Sequence, residues 1–178
     1  MSDLRPIVVD ASIAIALVRD EPVASSIRQM IRFWAEINQT LVVPSLFWYE
    51  LINPLARQYR YSSQQVLQAV DEVEELTLIT VNPDRPLFLL TIDHIERYGL
   101  TAYDAHYLAL STQFGSHIAT LDRQLGEAAG SRWIKFDGLH HLNESRVPYE
   151  HDVTWPKYKG ASAYLAKLRE EALRDAST

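Results

Sequence analysis

The chain has 178 residues, 47% hydrophobic and 22% charged, with six Gly and eight Pro, a composition that fits one folded domain with an appendage and excludes wholesale disorder or a fibrous repeat. The complete absence of Cys removes disulfides, thiolate zinc sites, iron–sulfur clusters and cysteine nucleophiles, so any metal must sit on oxygen or imidazole. A net charge of −6 sets the bulk field against polyanions, which makes any contact with nucleic acid local and cation-assisted.

The N-terminal Met1-Ser2-Asp3-Leu4-Arg5-Pro6 leads directly into Ile7-Val8-Val9-Asp10, without the basic and apolar regions of a secretory signal, so a cytoplasmic protein is expected. The longest uncharged apolar run, Ile13 to Val18, is far shorter than the roughly 20 residues that cross a bilayer, and no membrane association is expected. Short runs of branched apolar residues predict strands at Ile7–Asp10, Thr40–Val43, Thr77–Val81, His117–Thr120 and Trp133–Phe136. Between them, helical spacing joins Ile27, Met30, Ile31 and Trp34, then Val66, Val70 and Val73, then Tyr107, Leu108 and Ser111. Ser62 lies three residues before Gln65, and Thr101 three before Asp104, so both read as capping boxes. Alternation of this kind predicts an α/β domain around a mainly parallel sheet. From Asp137 to Gly160 the pattern lapses into an expected long loop. Tyr164, Leu165, Leu168, Ala172 and Leu173 then predict a C-terminal amphipathic helix. The expected division is a core of residues 1–137 and an extension of residues 138–178.

In a parallel α/β sheet, ligands gather at the carboxyl ends of strands. Asp10 closes the first predicted strand and Asp122 follows the fourth. Either could simply cap a helix, and Asp104 could return a hydrogen bond to Thr101. Glu50 is harder to dismiss, because Leu46 and Phe47 precede it at helical spacing and a carboxylate there faces apolar company. Gathered at one mouth, four carboxylates would raise one another's pKa unless a divalent cation neutralised them. Oxygen-only ligation favours Mg²⁺ or Mn²⁺, and Mg²⁺ typically binds through a few carboxylates, waters and a substrate phosphate. That combination points to phosphodiester chemistry.

Val-Val-Asp10-Ala-Ser12, Glu50 on the helix after the second strand, Leu-Thr-Ala-Tyr-Asp104-Ala-x-Tyr-Leu-Ala-Leu and Ala-Thr-Leu-Asp122-Arg-Gln-Leu strongly resemble the PIN-domain nucleases. The order and neighbours of these motifs look most like the VapC-type toxins of type II toxin–antitoxin pairs. The resemblance covers roughly residues 6–137 and implies a PIN-type α/β/α sandwich. It also implies a Mg²⁺- or Mn²⁺-dependent endoribonuclease that cleaves RNA with a metal-activated water, forms a homodimer and is held inactive by a small cognate antitoxin. By position, Asp10, Glu50, Asp104 and Asp122 match the acidic quartet that binds metal and carries catalysis, with Ser12 and Thr120 as supporting hydroxyls.

Pro54 lacks the N–H that would bond the Glu50 carbonyl, so a kink is expected beside that carboxylate. The extension has no counterpart in the resemblance. His140, His141 and His151 lack a metal-binding spacing, and His106 falls on a different side of its helix from Asp104. Arg57, Arg60, Arg123 and Lys135, with Tyr59, Tyr61 and Tyr103, are the available RNA contacts, although each also reads as ordinary surface or core edge. The alternative function is a catalytically silent PIN-fold module for protein binding or assembly.

Overall fold

A computed structural model describes residues 5–136. The expected loop, C-terminal helix and extension, together with His140, His141 and His151, lie outside the described residues.

In chain order the elements are β1 (Ile7–Val9), α1 (Ala11–Val18), α2 (Ala24–Glu36), β2 (Leu41–Pro44), α3 (Phe47–Arg57), α4 (Ser63–Glu74) and β3 (Ile79–Val81). They continue with α5 (Arg85–Tyr98), α6 (Ala102–Phe114), β4 (His117–Ala119), α7 (Arg123–Ala129), a 3₁₀ turn (Gly130–Arg132) and β5 (Trp133–Ile134). All five predicted strands are present; four are trimmed at their ends, and β2 is shifted by one residue to Leu41–Pro44. β3 starts at Ile79 because Thr77 adopts φ 56°, a left-handed conformation that a β-branched residue rarely takes and no strand can contain.

The strands form one parallel sheet in the order β3-β2-β1-β4-β5, and helices cover it as the expected α/β/α sandwich. Parallel strands buried on both faces need apolar side chains at every position, and Ile7, Val8, Val9, Leu41, Val42 and Val43 are all buried. α2 buries Ile27 and Trp34 and leaves its charged side in water, whereas α6 is buried from Ala105 to Ser111. α6 packs against β1, β2 and β4, and α5 lies along α6. Gly99 (φ 65°) and Gly115 (φ 59°) end α5 and α6 in the left-handed conformation that glycine adopts without a Cβ clash.

The two expected capping boxes differ. Ser62 and Gln65 exchange both hydrogen bonds. At α6, Thr101 Oγ1 accepts from the Asp104 amide at 3.2 Å and donates to Asp104 Oδ2 at 2.6 Å. The Asp104 carboxylate is therefore turned to the Thr101 hydroxyl, where a capping box would turn it to the backbone amide. Pro54 is accommodated within a helix that runs continuously from Phe47 to Arg57.

The strand order is what positions the site. The chain lays down β1, β2 and β3 in one direction, then returns to place β4 on the other side of β1. At such a reversal the connections leave the sheet in opposite directions and open a crevice at the strands' carboxyl ends. Asp10 follows β1 and Asp122 follows β4, so both stand at this crevice. Among the described residues, no helix is long and apolar enough to cross a membrane.

Candidate active site

Parallel register brings Asp10 to Thr120. Val9 pairs with Ala119, and the Asp10 amide donates to the Ala119 carbonyl at 2.9 Å, carrying the ladder one step past the strands. Asp10 occupies the N-cap position of α1 but its side chain makes no cap hydrogen bond. Instead its Oδ2 accepts from Ser12 Oγ at 2.5 Å and from Thr120 Oγ1 at 2.8 Å. Those hydroxyls are themselves fixed, Ser12 Oγ accepting from the Leu121 amide at 3.0 Å and Thr120 Oγ1 from the Asp122 amide at 2.9 Å. Two hydroxyls thus tie a buried carboxylate to the turn between β4 and α7. Burial pushes the Asp10 carboxyl upward, against the Ser12 and Thr120 hydroxyls and the Ser12 and Ala11 amides, which favour its charged form.

Glu50 enters from α3, one turn into the helix. Burial pushes its carboxyl up to about 7; the hydrogen bond from Tyr107 opposes this, and the charges of Asp10 and Asp104 add to it. The source of that hydrogen bond is the Tyr107 hydroxyl, which donates to Glu50 Oε2 at 2.6 Å. Asp122 accepts from the Leu125 amide at 2.7 Å and so caps α7, as its bland reading required, while also facing the crevice.

All four predicted carboxylates line one cleft of about 660 Å³, together with Ala11, Ser12, Ile15, Leu46, Tyr49, Asn53, Pro54 and Tyr103. Thr120 reaches it through Asp10. No Lys or Arg is among these lining residues. A smaller hollow of about 340 Å³, between Leu17, Ile31, Val73 and Leu76, carries a single carboxylate, Glu72.

Four acidic side chains sharing a mouth form an arrangement that isolated protein does not favour, because each added charge is less stable than the last. Among the described residues, no group of three or more His, Asp or Glu side chains is drawn tightly enough to cage an ion by itself. An open oxygen-donor mouth nevertheless fits Mg²⁺ or Mn²⁺. These ions need only one or two carboxylates, keep several waters and complete their shell on phosphate, whereas a closed structural zinc site needs its full ligand set in place.

Other residues weighed in the sequence stand away from the cleft, His106 as its position on the other side of the helix implied. His106 is buried between α5 and α6, with Nδ1 3.0 Å from Thr91 Oγ1, and burial lowers its pKa, so it is a core residue out of reach of the cleft. Arg57, Arg60, Arg123, Lys135, Tyr59 and Tyr61 are not among the cleft residues. Arg123 pairs with Glu127, the Arg19 guanidinium stacks on Tyr59, and Lys135 lies over Trp133. Tyr103 does line the cleft, with Tyr49 as a second aromatic that the sequence reading missed; they are 64% and 76% exposed. Tyr107 was read only as part of a helical face. Its contact with Glu50 spans 57 positions, for which helical periodicity carries no signal.

The upward shift of Glu50 has a measurable consequence in metal-free protein. A carboxyl that titrates near 7 when folded and near 4.5 when unfolded holds its proton more tightly in the native state, so its contribution to stability falls as pH rises between those values. His94, His106 and His117, whose pKa values burial lowers, act in the opposite direction, and they cancel in a comparison with Glu50→Gln. In EDTA the melting temperature of Glu50→Gln minus that of the parent is expected to grow by on the order of a few degrees from pH 5 to pH 8. A constant difference would show that Glu50 is not held in this environment.

The PIN domain family model matches residues 7–131. Among solved structures, a protein from Pyrobaculum aerophilum superimposes with a TM-score of 0.51 at 24% identity, covering 70% of this chain and 85% of that one. A toxin–antitoxin complex from Klebsiella pneumoniae gives a TM-score of 0.58 at 16% identity, covering 75% and 99%. VapC20 of Mycobacterium tuberculosis, described as a sarcin-ricin loop cleaving toxin, gives 0.56 at 19% identity, covering 70% and 95%. At these identities the likeness is one of fold. No curated protein matches the sequence at a significant level.

Proposed function

The chain belongs to the PIN domain family, and from that membership and the chemistry of its cleft we propose that it is a divalent-metal-dependent endoribonuclease, the toxin of a toxin–antitoxin pair. The observation that carries this reading is the meeting of Asp10, Glu50, Asp104 and Asp122 in one cleft at the switch point of the sheet. We propose these four as the residues that hold Mg²⁺ or Mn²⁺, with Ser12 and Thr120 supporting Asp10. When bound, the ion supplies Lewis acidity, easing deprotonation of a water and offsetting charge on the phosphodiester.

The chain's own part is to bind and orient. The Ser12 and Thr120 hydroxyls hold one oxygen of Asp10 and limit its rotation. Asp122, held by the first turn of α7, and Asp104, held by the Thr101 hydroxyl, are fixed at helix starts. With no Lys or Arg among the described lining residues, the polyanionic substrate is met there by the cation at its phosphate and by other forces along its bases. Tyr49 and Tyr103 offer exposed aromatic faces at the rim, and base–aromatic stacking contributes about 1–3 kcal/mol per base. Stacking needs unpaired bases, which favours single-stranded RNA over a duplex.

The likeness to a toxin–antitoxin complex and to a sarcin-ricin loop cleaving toxin supports RNA as the substrate and a cognate antitoxin as partner. A cytoplasmic homodimer, with residues 1–137 as the nuclease unit and 138–178 as an extension, completes the proposal. The test is cleavage of a short single-stranded RNA by purified protein. Activity is expected to vanish in EDTA and return with Mn²⁺. A protein that binds RNA or a partner but shows no metal-restored cleavage would be the silent module instead.

A further inference from the structure

Among the described residues, Tyr107 is the largest side chain that is 0% exposed. It sits on α6 three residues after Asp104, so the same helix that presents Asp104 to the cleft carries a phenol beneath it. A buried hydroxyl is costly unless it is hydrogen-bonded, and this one donates to Glu50 Oε2 at 2.6 Å across 57 positions of sequence. Its ring is enclosed, so it cannot touch a substrate. Its hydroxyl also lies near the Ala11 amide at the start of α1 and within the field of Asp10. It therefore stands where β1–α1, α3 and α6 converge, beneath the carboxylates those elements supply.

On the footing of the metal site proposed above, we propose that Tyr107 is a positioning residue for it: its hydroxyl fixes the Glu50 carboxylate in the orientation that receives the divalent ion. Glu50 has four side-chain atoms between backbone and ion, one more than each Asp of the quartet, so it has the most freedom to turn away. A donor 2.6 Å from one oxygen removes much of that freedom and leaves the carboxylate charge available to a cation. Packing alone would be served equally by Phe, which fills the same volume.

Tyr107→Phe keeps the ring and deletes only the donor. Mn²⁺ affinity, measured by calorimetry on metal-free protein, is expected to fall by about 10- to 100-fold, the usual cost of losing a partner that orients a ligand. The melting temperature in EDTA is expected to stay near the parent's. In a Glu50→Gln background the same substitution is expected to cost nothing further, since the group it orients no longer ligates. Unchanged affinity in Tyr107→Phe, or an equal loss with and without Glu50, would overturn the positioning role. Failure of the parent to bind Mn²⁺ at all would instead overturn the metal site itself. A second measurement needs no variant. In ¹H NMR the enclosed Tyr107 hydroxyl proton is expected to shift as Mg²⁺ is added, with the midpoint of binding; a resonance that does not respond at saturation also overturns the role.

Discussion

Asp10→Asn is expected to abolish RNA cleavage while leaving the fold intact. Asn has the shape of Asp, and its carbonyl oxygen can still accept the Ser12 and Thr120 hydroxyls that hold Asp10. What disappears is the negative charge. In metal-free protein that charge is destabilising, because burial pushes the Asp10 carboxyl upward, so the melting temperature in EDTA is expected to be equal to or above that of the parent. In the presence of Mn²⁺ the same charge is the proposed anchor of the ion. Losing a residue that merely orients a metal ligand costs about 10- to 100-fold, and losing a ligand is expected to cost more than about 100-fold in kcat/KM. Asp122→Asn is expected to behave similarly while keeping the start of α7, since Asn is as good an N-cap as Asp. Asp10→Asn with activity within about tenfold of the parent would remove Asp10 from the site; a variant that fails to fold would show that the buried charge of Asp10 supports the native state rather than opposing it.

Gly126→Ala is expected to destabilise the fold through a direct steric clash. A Cβ on Gly126 would lie 2.2 Å from Trp133 Cε2 and 2.3 Å from Cδ2, whereas Gly99 and Gly130 have nothing within 4 Å of the equivalent point. Either the indole moves or α7 shifts away from β5, and overpacking of this kind typically costs about 1–3 kcal/mol. At this chain length the corresponding fall in melting temperature is about 2–12 °C. The damage also reaches the cleft. The Trp133 indole donates to the Thr120 carbonyl at 3.0 Å, Thr120 holds Asp10, and α7 begins at Asp122. Mn²⁺ affinity is therefore expected to fall along with stability. Trp133→Leu should make room, so Gly126→Ala in that background is expected to cost much less, the non-additivity of residues in direct contact. An unchanged melting temperature in the single variant would show that the close packing of α7 on β5 is wrong.

The parts of the fold that were readable from sequence share a simple physical signature. β1 and β2 are short, fully buried runs dominated by branched apolar residues, the other strands are short apolar-rich runs, and α2 and α4 present apolar stripes at helical spacing. α5 escaped because its inward stripe is mixed. It buries Leu87, Thr91 and His94 while Phe88, Leu89 and Ile92 remain about half exposed, so apolarity marks the wrong side. Its ends do carry sequence signals, with Asp84 accepting from the Leu87 amide and Gly99 in the left-handed conformation. At the site, the four carboxylates that line the cleft were legible as a set, from the order of the motifs that carry them, since Asp10, Asp104 and Asp122 taken singly read equally well as helix-capping residues. Ser12 and Thr120 were legible as supporting hydroxyls through the resemblance, but the bonds they make were not, and neither was Tyr107. The Thr120–Asp10 and Tyr107–Glu50 hydrogen bonds join residues 110 and 57 positions apart, created by strand register and helix packing rather than by any local pattern. The rim tyrosine Tyr49 was hidden for a related reason, since exposure next to a cleft leaves no trace in periodicity.

Diffraction from crystals soaked in Mn²⁺, with anomalous scattering used to locate the ion, goes most directly to whether these carboxylates share a cation. The expected result is an anomalous peak in the cleft at about 2.0–2.3 Å from an oxygen of Asp10 and of at least one among Glu50, Asp104 and Asp122. A cleft with no anomalous peak at saturating Mn²⁺, or an ion bound out of reach of Asp10, would contradict it.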